Sequence, residues 1–376
     1  MRIGLNGSCF NARASGATQR FKGIYGELFA LRSNDEFVVF EPSDSRLREW
    51  FPSFKNVRFV ETPLSSTDRI QRFLQGALYW PGALSKQRFD FFEGFNLPMV
   101  RPAGIPCALT IHDIGELAEE RSIFSKFLYR NILSQSIGNA TEIIAVSQFT
   151  KREILELFPS ANVSVVYNGI SPELFKKISG NEIRDAKSKF NLPDDFILTV
   201  GHFEKRKNFP NLVRAVARAG ACYEPQHLVM IGNDSGQMEG VKHLSRELGI
   251  ENRIHIHTGL SDFEVRCIYK AAKLFVFPSL YEGFGIPLIE AMAASTPVIV
   301  SDIPVFLEIT QGQIPSFAPD RPDAIADCFN LVLSSEAQLA KIVEFGNARA
   351  RDFTFESVAK NLSDIYDGLT LEASRR

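Results

Sequence analysis

Residues 274–302, LFVFPSLYEGFGIPLIEAMAASTPVIVSD, constrain the fold of this chain more than any other stretch. The run Leu274, Phe275, Val276, Phe277 is continuously apolar, the pattern of a strand in a parallel sheet covered on both faces. Pro278 and Ser279 end it. Gly283 and Gly285 then flank Phe284, giving two positions without a Cβ where the backbone can turn tightly and approach a ligand. Pro287 suits the first turn of a helix, where a missing N–H costs nothing. A second apolar strand closes the stretch. The stretch therefore reads as strand, glycine turn, helix, strand, one half of a nucleotide-binding α/β unit.

A helix starting at the turn directs unpaired N–H groups and the positive end of its dipole toward it, which suits a phosphate. Glu290, about one turn into that helix, would repel an anion, so its partner is expected to be a neutral group with paired hydroxyls such as a ribose. Glu282, just ahead of the glycines, could meet the hydroxyls of a second ring.

A chain of 376 residues exceeds one comfortable core, so two domains are expected. The net charge of -2 argues against a general nucleic-acid binder. Cys9, Cys107, Cys222, Cys267 and Cys328 are scattered, with no Cys-x-x-Cys pair, and read as reduced thiols of a cytoplasmic protein. No apolar run approaches the roughly 18 residues of a membrane span, and the start shows no signal-peptide pattern.

Along the chain, 1–6 reads as a strand, followed by a loop carrying Gly16 and Arg20 and a helix over about 21–31. From 46 to 88 the bases Arg46, Arg48, Lys55, Arg58, Arg69, Arg72, Lys86 and Arg88 outnumber Glu49, Glu61 and Asp68, eight against three. Trp50, Phe51, Phe54, Phe73, Tyr79 and Trp80 are interleaved with them. This fits either an interface with an anionic membrane or a solvated face over an ordinary core. His112 and Asp113 follow the apolar run 105–111, at the carboxyl end of a strand, where open α/β sheets present ligands. The strand 196–200 leads into Gly201, His202, Phe203, Glu204, Lys205, Arg206, Lys207, Asn208. Adjacent cations in a strand-to-helix loop offer a bidentate guanidinium and a point charge to a diphosphate. His255 and His257 alternate on one strand without a Cys, Asp or Glu at ligand spacing, so no metal site is expected.

The spacing of Glu282 and Glu290, with Gly-Phe-Gly-Ile-Pro-Leu-Ile between them, resembles the Glu-x7-Glu motif of retaining glycosyltransferases of family 4. The loop 201–208 resembles that family's phosphate-binding loop, and 110–114 its strand end bearing a histidine beneath the donor sugar. The resemblance implies the GT-B architecture, two Rossmann-like doubly wound domains facing a cleft: an acceptor domain over 1–170, a linker over 171–195, a nucleotide-sugar domain over 196–352, and a helix over 353–376 packing back on the first domain. It also implies a site in which Gly16, Gly201, Arg206, Lys207, Glu282, Gly283, Phe284, Gly285, Ile286 and Glu290 hold the donor, with His112, Asp113, Arg206, Lys207 and Glu282 catalytic. Arg20 would stand near the donor phosphate. No metal or other cofactor is implied, and the chain contains no Asp-x-Asp.

The expected reaction moves a sugar from a nucleoside diphosphate sugar, leaning to GDP-mannose, to a hydroxyl of a glycan or polyprenyl-diphosphate-linked glycan, as in bacterial surface-polysaccharide mannosyltransferases. A UDP-sugar transferase, a glycogen-phosphorylase-like enzyme, a nucleotide-sugar epimerase and a silent nucleotide-binding module remain alternatives. The protein is expected in the cytoplasm, with peripheral contact to the inner face of the membrane if the 46–88 stretch serves that role.

Overall fold

The computed structural model describes residues 1–13, 15–115, 123–219 and 227–374; Cys222 lies outside them. The chain forms two compact units, Met1–Gly169 with Thr354–Arg376, and Ile170–Phe353.

In the first unit, β1 (Arg2–Asn6), β2 (Glu36–Glu41), β3 (Val57–Glu61), β4 (Phe91–Gly94), β5 (Cys107–Ile111), β6 (Glu142–Ala145) and β7 (Val163–Val165) form one sheet. Its order is β3-β2-β1-β4-β5-β6-β7, and every pairing is parallel. The second unit holds β8 (Phe196–Val200), β9 (His227–Ile231), β10 (Ile254–His257), β11 (Leu274–Phe277), β12 (Val298–Ser301) and β13 (Ser316–Phe317). Their order is β10-β9-β8-β11-β12-β13, again parallel throughout. Each sheet reverses its direction of growth beside its first strand, at β1/β4 and at β8/β11. In open α/β sheets such a switch point opens a crevice at the carboxyl ends of the strands.

Alternation along the strands supplies both faces of the first sheet. Phe37 and Val39 join Ile3, Leu5 and Phe91 under the helices Gly16–Leu31 and Phe355–Ser374, whereas Val38, Phe40, Phe92 and Leu109 face Trp80, Leu133 and Ile137. The last helix thus packs in the first unit, and Phe355 lies so close that a Cβ on Gly23 would stand 2.2 Å from its ring. Residues 171–195, read as a linker, fall in the second unit; the helix Gly180–Lys189 lies against the helix Asp262–Ala271.

Part of the stretch 46–88 belongs to the core. Phe51 and Trp80 are buried, and Trp50 and Phe54 pack against the core. Residues Arg69–Ser85 form a helix capped by Asp68, whose carboxylate accepts from the Ile70 and Gln71 N–H groups at 2.9 Å. Among the described residues no helix is long and apolar enough to cross a membrane.

Candidate functional site

The loops following β8 and β11, neighbours at the switch point of the second sheet, are joined by polar contacts. Asn208 takes a left-handed conformation (φ 57°), and its amide donates to the carbonyls of Pro278 (3.0 Å) and Pro319 (2.6 Å). The Leu280 N–H reaches the Arg206 carbonyl at 2.8 Å. These contacts set the turn Lys205–Lys207 against the segment ahead of the glycines.

Glu282 is the centre of that junction. Its carboxylate accepts from Lys207 Nζ at 2.6 Å and from Ser279 Oγ at 2.8 Å, and it is also paired with the Arg206 guanidinium. Arg206 meets Glu204 as well, at 2.7 Å. Both members of the inner pair are buried, Lys207 at 5% and Glu282 at 5% exposure. Lys207 Nζ lies 4.9 Å from the centre of the Phe277 ring. Burial depresses the lysine below its ordinary range, and Glu282 opposes part of that shift. Burial also works to raise the Glu282 carboxyl, but Lys207 first, then Arg206, hold it below the usual carboxylate range. Taking two charges out of water costs several kcal/mol per ion unless each is paired. Arg206 and Lys207 are thus matched by Glu282 and Glu204 in the ligand-free molecule, and an anion entering the crevice would compete with those carboxylates for the two cations.

Gly285 makes the turn beyond Glu282. Its φ of 100° disfavours an L side chain, and a Cβ there would stand 2.7 Å from the Phe306 ring. The helix Ile286–Ala293 starts at this point with Pro287, which has no N–H, in its first turn, and the Leu288 N–H is taken by the Gly285 carbonyl at 3.0 Å. Glu290 is half-buried and accepts from the Tyr269 hydroxyl at 3.2 Å. Phe284 is buried edge-on against Phe353. The second unit therefore brings Gly201, Arg206, Lys207, Glu282, Gly283, Phe284, Gly285, Ile286 and Glu290 to two adjoining loops and one helix start.

In the first unit, Gly16 opens the helix Gly16–Leu31, whose cap Ser15 accepts from the Thr18 N–H at 3.1 Å. His112 and Asp113 directly follow β5, and Asp113 accepts from the Gly115 N–H at 3.1 Å. Burial, helped by the charge of Arg20, pushes His112 down to about 3, so its imidazole is neutral across the physiological range. Protonation therefore favours the unfolded chain. The stability tied to this neutral ring is complete above pH 6.5 and is lost as pH falls toward about 3. His112 is half-buried by solvent exposure, and His112→Gln should flatten the loss of stability between those limits in urea titrations; wild-type and variant curves that stay parallel would contradict a ring held neutral.

Arg20 is fully buried; its Nη1 donates to the carbonyls of Val166 (3.0 Å) and Tyr167 (2.7 Å) and to Asn168 Oδ1 (3.1 Å), its charge reaches His112, and its Nε and Nη2 have no partner among the described residues. Sequence reasoning passed over Glu93, a carboxylic acid inside the apolar strand β4. It accepts from Thr110 Oγ1 at 2.5 Å and from the Tyr366 hydroxyl, and burial holds it above the usual carboxylate range. The signal was present: one glutamate in the run Phe91, Phe92, Glu93, Gly94. His255 lies 3.0 Å from His227 Nδ1, and the described residues contain no group of three or more His, Cys, Asp or Glu placed to hold a metal ion.

Residues 181–349 match the family model for glycosyl transferases group 1, and residues 29–174 that for glycosyltransferase family 4. An uncharacterised glycosyltransferase of Methanocaldococcus jannaschii is 30% identical over 73% of this chain and 72% of its own. The O-antigen chain mannosyltransferase RfbU of Salmonella typhimurium is 30% identical over 57% of this chain, which spans only 56% of that relative. Among solved structures, the sucrose-phosphate synthase of Thermosynechococcus elongatus superposes with a TM-score of 0.78 over 99% of both chains at 20% identity. That is a likeness of fold: two doubly wound α/β domains of the GT-B class.

Proposed function

Because the chain belongs to the glycosyltransferases, we propose that it transfers mannose from GDP-mannose to a hydroxyl of a glycan or polyprenyl-diphosphate-linked glycan, with retention at the anomeric carbon and without a metal ion, in building a surface polysaccharide. The observation that carries this reading is the cluster of Arg206 and Lys207 around Glu282, beside a helix start. In this reading the two cations and the first turn of the helix stabilise the leaving diphosphate, a task metal ions perform in other enzymes. Phe284 and Gly285 offer backbone N–H groups to the phosphates, Glu290 takes the ribose and Glu282 the sugar. Gly16, Gly201, Gly283 and Ile286 border the donor. His112, being neutral, positions the sugar together with Asp113, and a leaving phosphate oxygen takes the acceptor's proton.

Mannose is favoured by the resemblance to RfbU; a UDP-sugar is the runner-up donor. A thermal-shift screen tests the nucleotide, because a ligand bound by the folded state alone raises the midpoint. GDP and GDP-mannose should raise it more than their uridine counterparts, and GDP-mannose without acceptor should slowly release free mannose. A chain that binds nucleotide yet never releases sugar would instead be a silent binding module.

Turnover should be undiminished in excess chelator, since the leaving-group charge already faces two cations. Loss of activity in EDTA that manganese or magnesium restores would refute metal independence. Peripheral contact with an anionic membrane belongs to the same proposal, supported by the basic excess of 46–88. Vesicles rich in anionic lipid should retain the chain at low salt and release it as ionic strength rises; a chain that passes through unretained at low salt lacks this contact.

A further inference from the structure

We propose that the first unit carries a site for a lipid with a single long hydrocarbon chain and a phosphate head, in the cavity beside the helix Arg69–Ser85. The site does not rest on the transferase reading above: Arg88 and Arg101 precede β4 and β5, at the amino ends of the strands, whereas the crevice of the first sheet opens at their carboxyl ends. The cavity holds about 930 Å³, near the upper end for small-molecule sites. Phe73, Trp80, Leu84, Phe89, Leu97 and Val100 contribute to walls that are mainly apolar. Such walls leave the hydroxyls of a sugar chain without partners, and they suit a hydrocarbon.

Charge selects the head group. Arg88 and Arg101 line the cavity beyond the end of the helix, Arg69 and Arg72 line it at the helix start, and the one acid in the lining, Asp90, already accepts from the Arg2 N–H at 2.7 Å. Arg72 is fixed by bonds to the carbonyls of Ser65 (2.9 Å) and Ser66 (2.8 Å). Arg88 and Arg101 are exposed, and no carboxylate among the described residues pairs with either.

The other side of the same helix indicates where such a lipid would come from. Ile70, Leu74 and Leu78 recur at four-residue spacing and are 74%, 60% and 87% exposed. Phe124, Phe127 and Leu128 on the helix Ile123–Asn139, which covers the same sheet face, are also exposed. The helix Arg69–Ser85 thus has an apolar cavity on one side and an apolar stripe on the other. That arrangement fits a wall standing between a membrane and the chain of a lipid drawn from it.

Trp50 and Trp80 are the chain's two tryptophans, so Trp50→Phe leaves Trp80, in the cavity wall, as the reporter. An alkyl phosphate brominated along its chain should quench Trp80 saturably below its micelle concentration. A brominated alkyl glucoside should bind about tenfold or more weakly, because it lacks the charge-assisted contacts. Inorganic phosphate should neither quench nor displace the probe. Arg88→Gln combined with Arg101→Gln should reduce the alkyl phosphate to the level of the glucoside, and Ala103→Phe should abolish quenching without moving the unfolding midpoint. Absence of saturable quenching, or equal affinity for the two head groups, would overturn the proposal. So would sedimentation showing a dimer that Leu78→Glu disperses, with no probe bound, since the face would then belong to a second copy. Calorimetry with GDP and with UDP on the same variants separates the two readings: quenching with neither nucleotide bound would sink the proposed transfer reaction and leave the lipid site standing.

Discussion

Lys207→Ala should lower turnover by roughly a hundredfold to a thousandfold, the usual cost of removing one preorganised donor to developing negative charge. Lys207 is almost wholly enclosed and held 2.6 Å from Glu282, so it acts in a medium where charge is weakly screened. Charge on a leaving diphosphate peaks in the transition state, and the loss should therefore fall on kcat more than on donor binding. Arg206→Ala should behave similarly, though less severely, because its guanidinium is more exposed and shared with Glu204. The comparison is Lys242→Ala, which removes an exposed helix ion pair to Glu239 and should leave turnover within about twofold. Steady-state kinetics of donor consumption, with unfolding midpoints recorded in parallel, measure all three. Near wild-type turnover in both the Lys207 and Arg206 variants would remove these cations from the mechanism.

The two glutamates of the motif should separate in the opposite sense from what their shared chemistry suggests. Glu290→Ala should weaken plain nucleoside diphosphate and nucleotide sugar alike, by about tenfold to a hundredfold, the worth of hydrogen bonds to a charged group. Glu282→Gln should bind the plain diphosphate at least as tightly as wild type. In the ligand-free molecule this carboxylate engages both Arg206 and Lys207, and cancelling its charge leaves them to the phosphates. Turnover should nevertheless fall, because the contact to the sugar is lost. Glutamine keeps an acceptor for Lys207 and so avoids stranding a buried cation. Calorimetry with GDP and GDP-mannose on both variants decides the matter. Equal losses of GDP affinity would mean that the division between ribose and sugar is mistaken.

Much of the second unit was legible because its signals are local. The apolar run 274–277, the glycines at 283 and 285 and the proline at 287 each dictate backbone within a few residues. The basic loop 205–207 is recognisable by charge alone, but not its attachment. Asn208 reaches carbonyls at 278 and 319, and nothing near it in sequence announces either partner. The helix Arg69–Ser85 went unread because Trp80 points inward while Ile70, Leu74 and Leu78 point outward, so no single apolar stripe emerges, and because Pro81 argues against a helix. The burial of Arg20 was not legible for a different reason: a charged residue near a helix start reads as solvent-facing, and only the tertiary structure supplies the carbonyls of 166 and 167 that take up one of its nitrogens.

The route of the chain has a consequence for how it is made. The second unit is an insertion: the strand leaves the first unit at Gly169 and re-enters at Thr354, and at those crossings the Ile170 N–H and the Phe353 carbonyl are hydrogen-bonded at 2.8 Å. Everything needed for Ile170–Phe353 to fold is therefore synthesised before the last helix of the first unit. Until Tyr366 arrives, Glu93 lacks one of its donors and the face under that helix has no cover. The first unit to begin synthesis is the last that can be completed, and released chains truncated before residue 354 should expose that bare face to chaperones while containing every residue of the second unit.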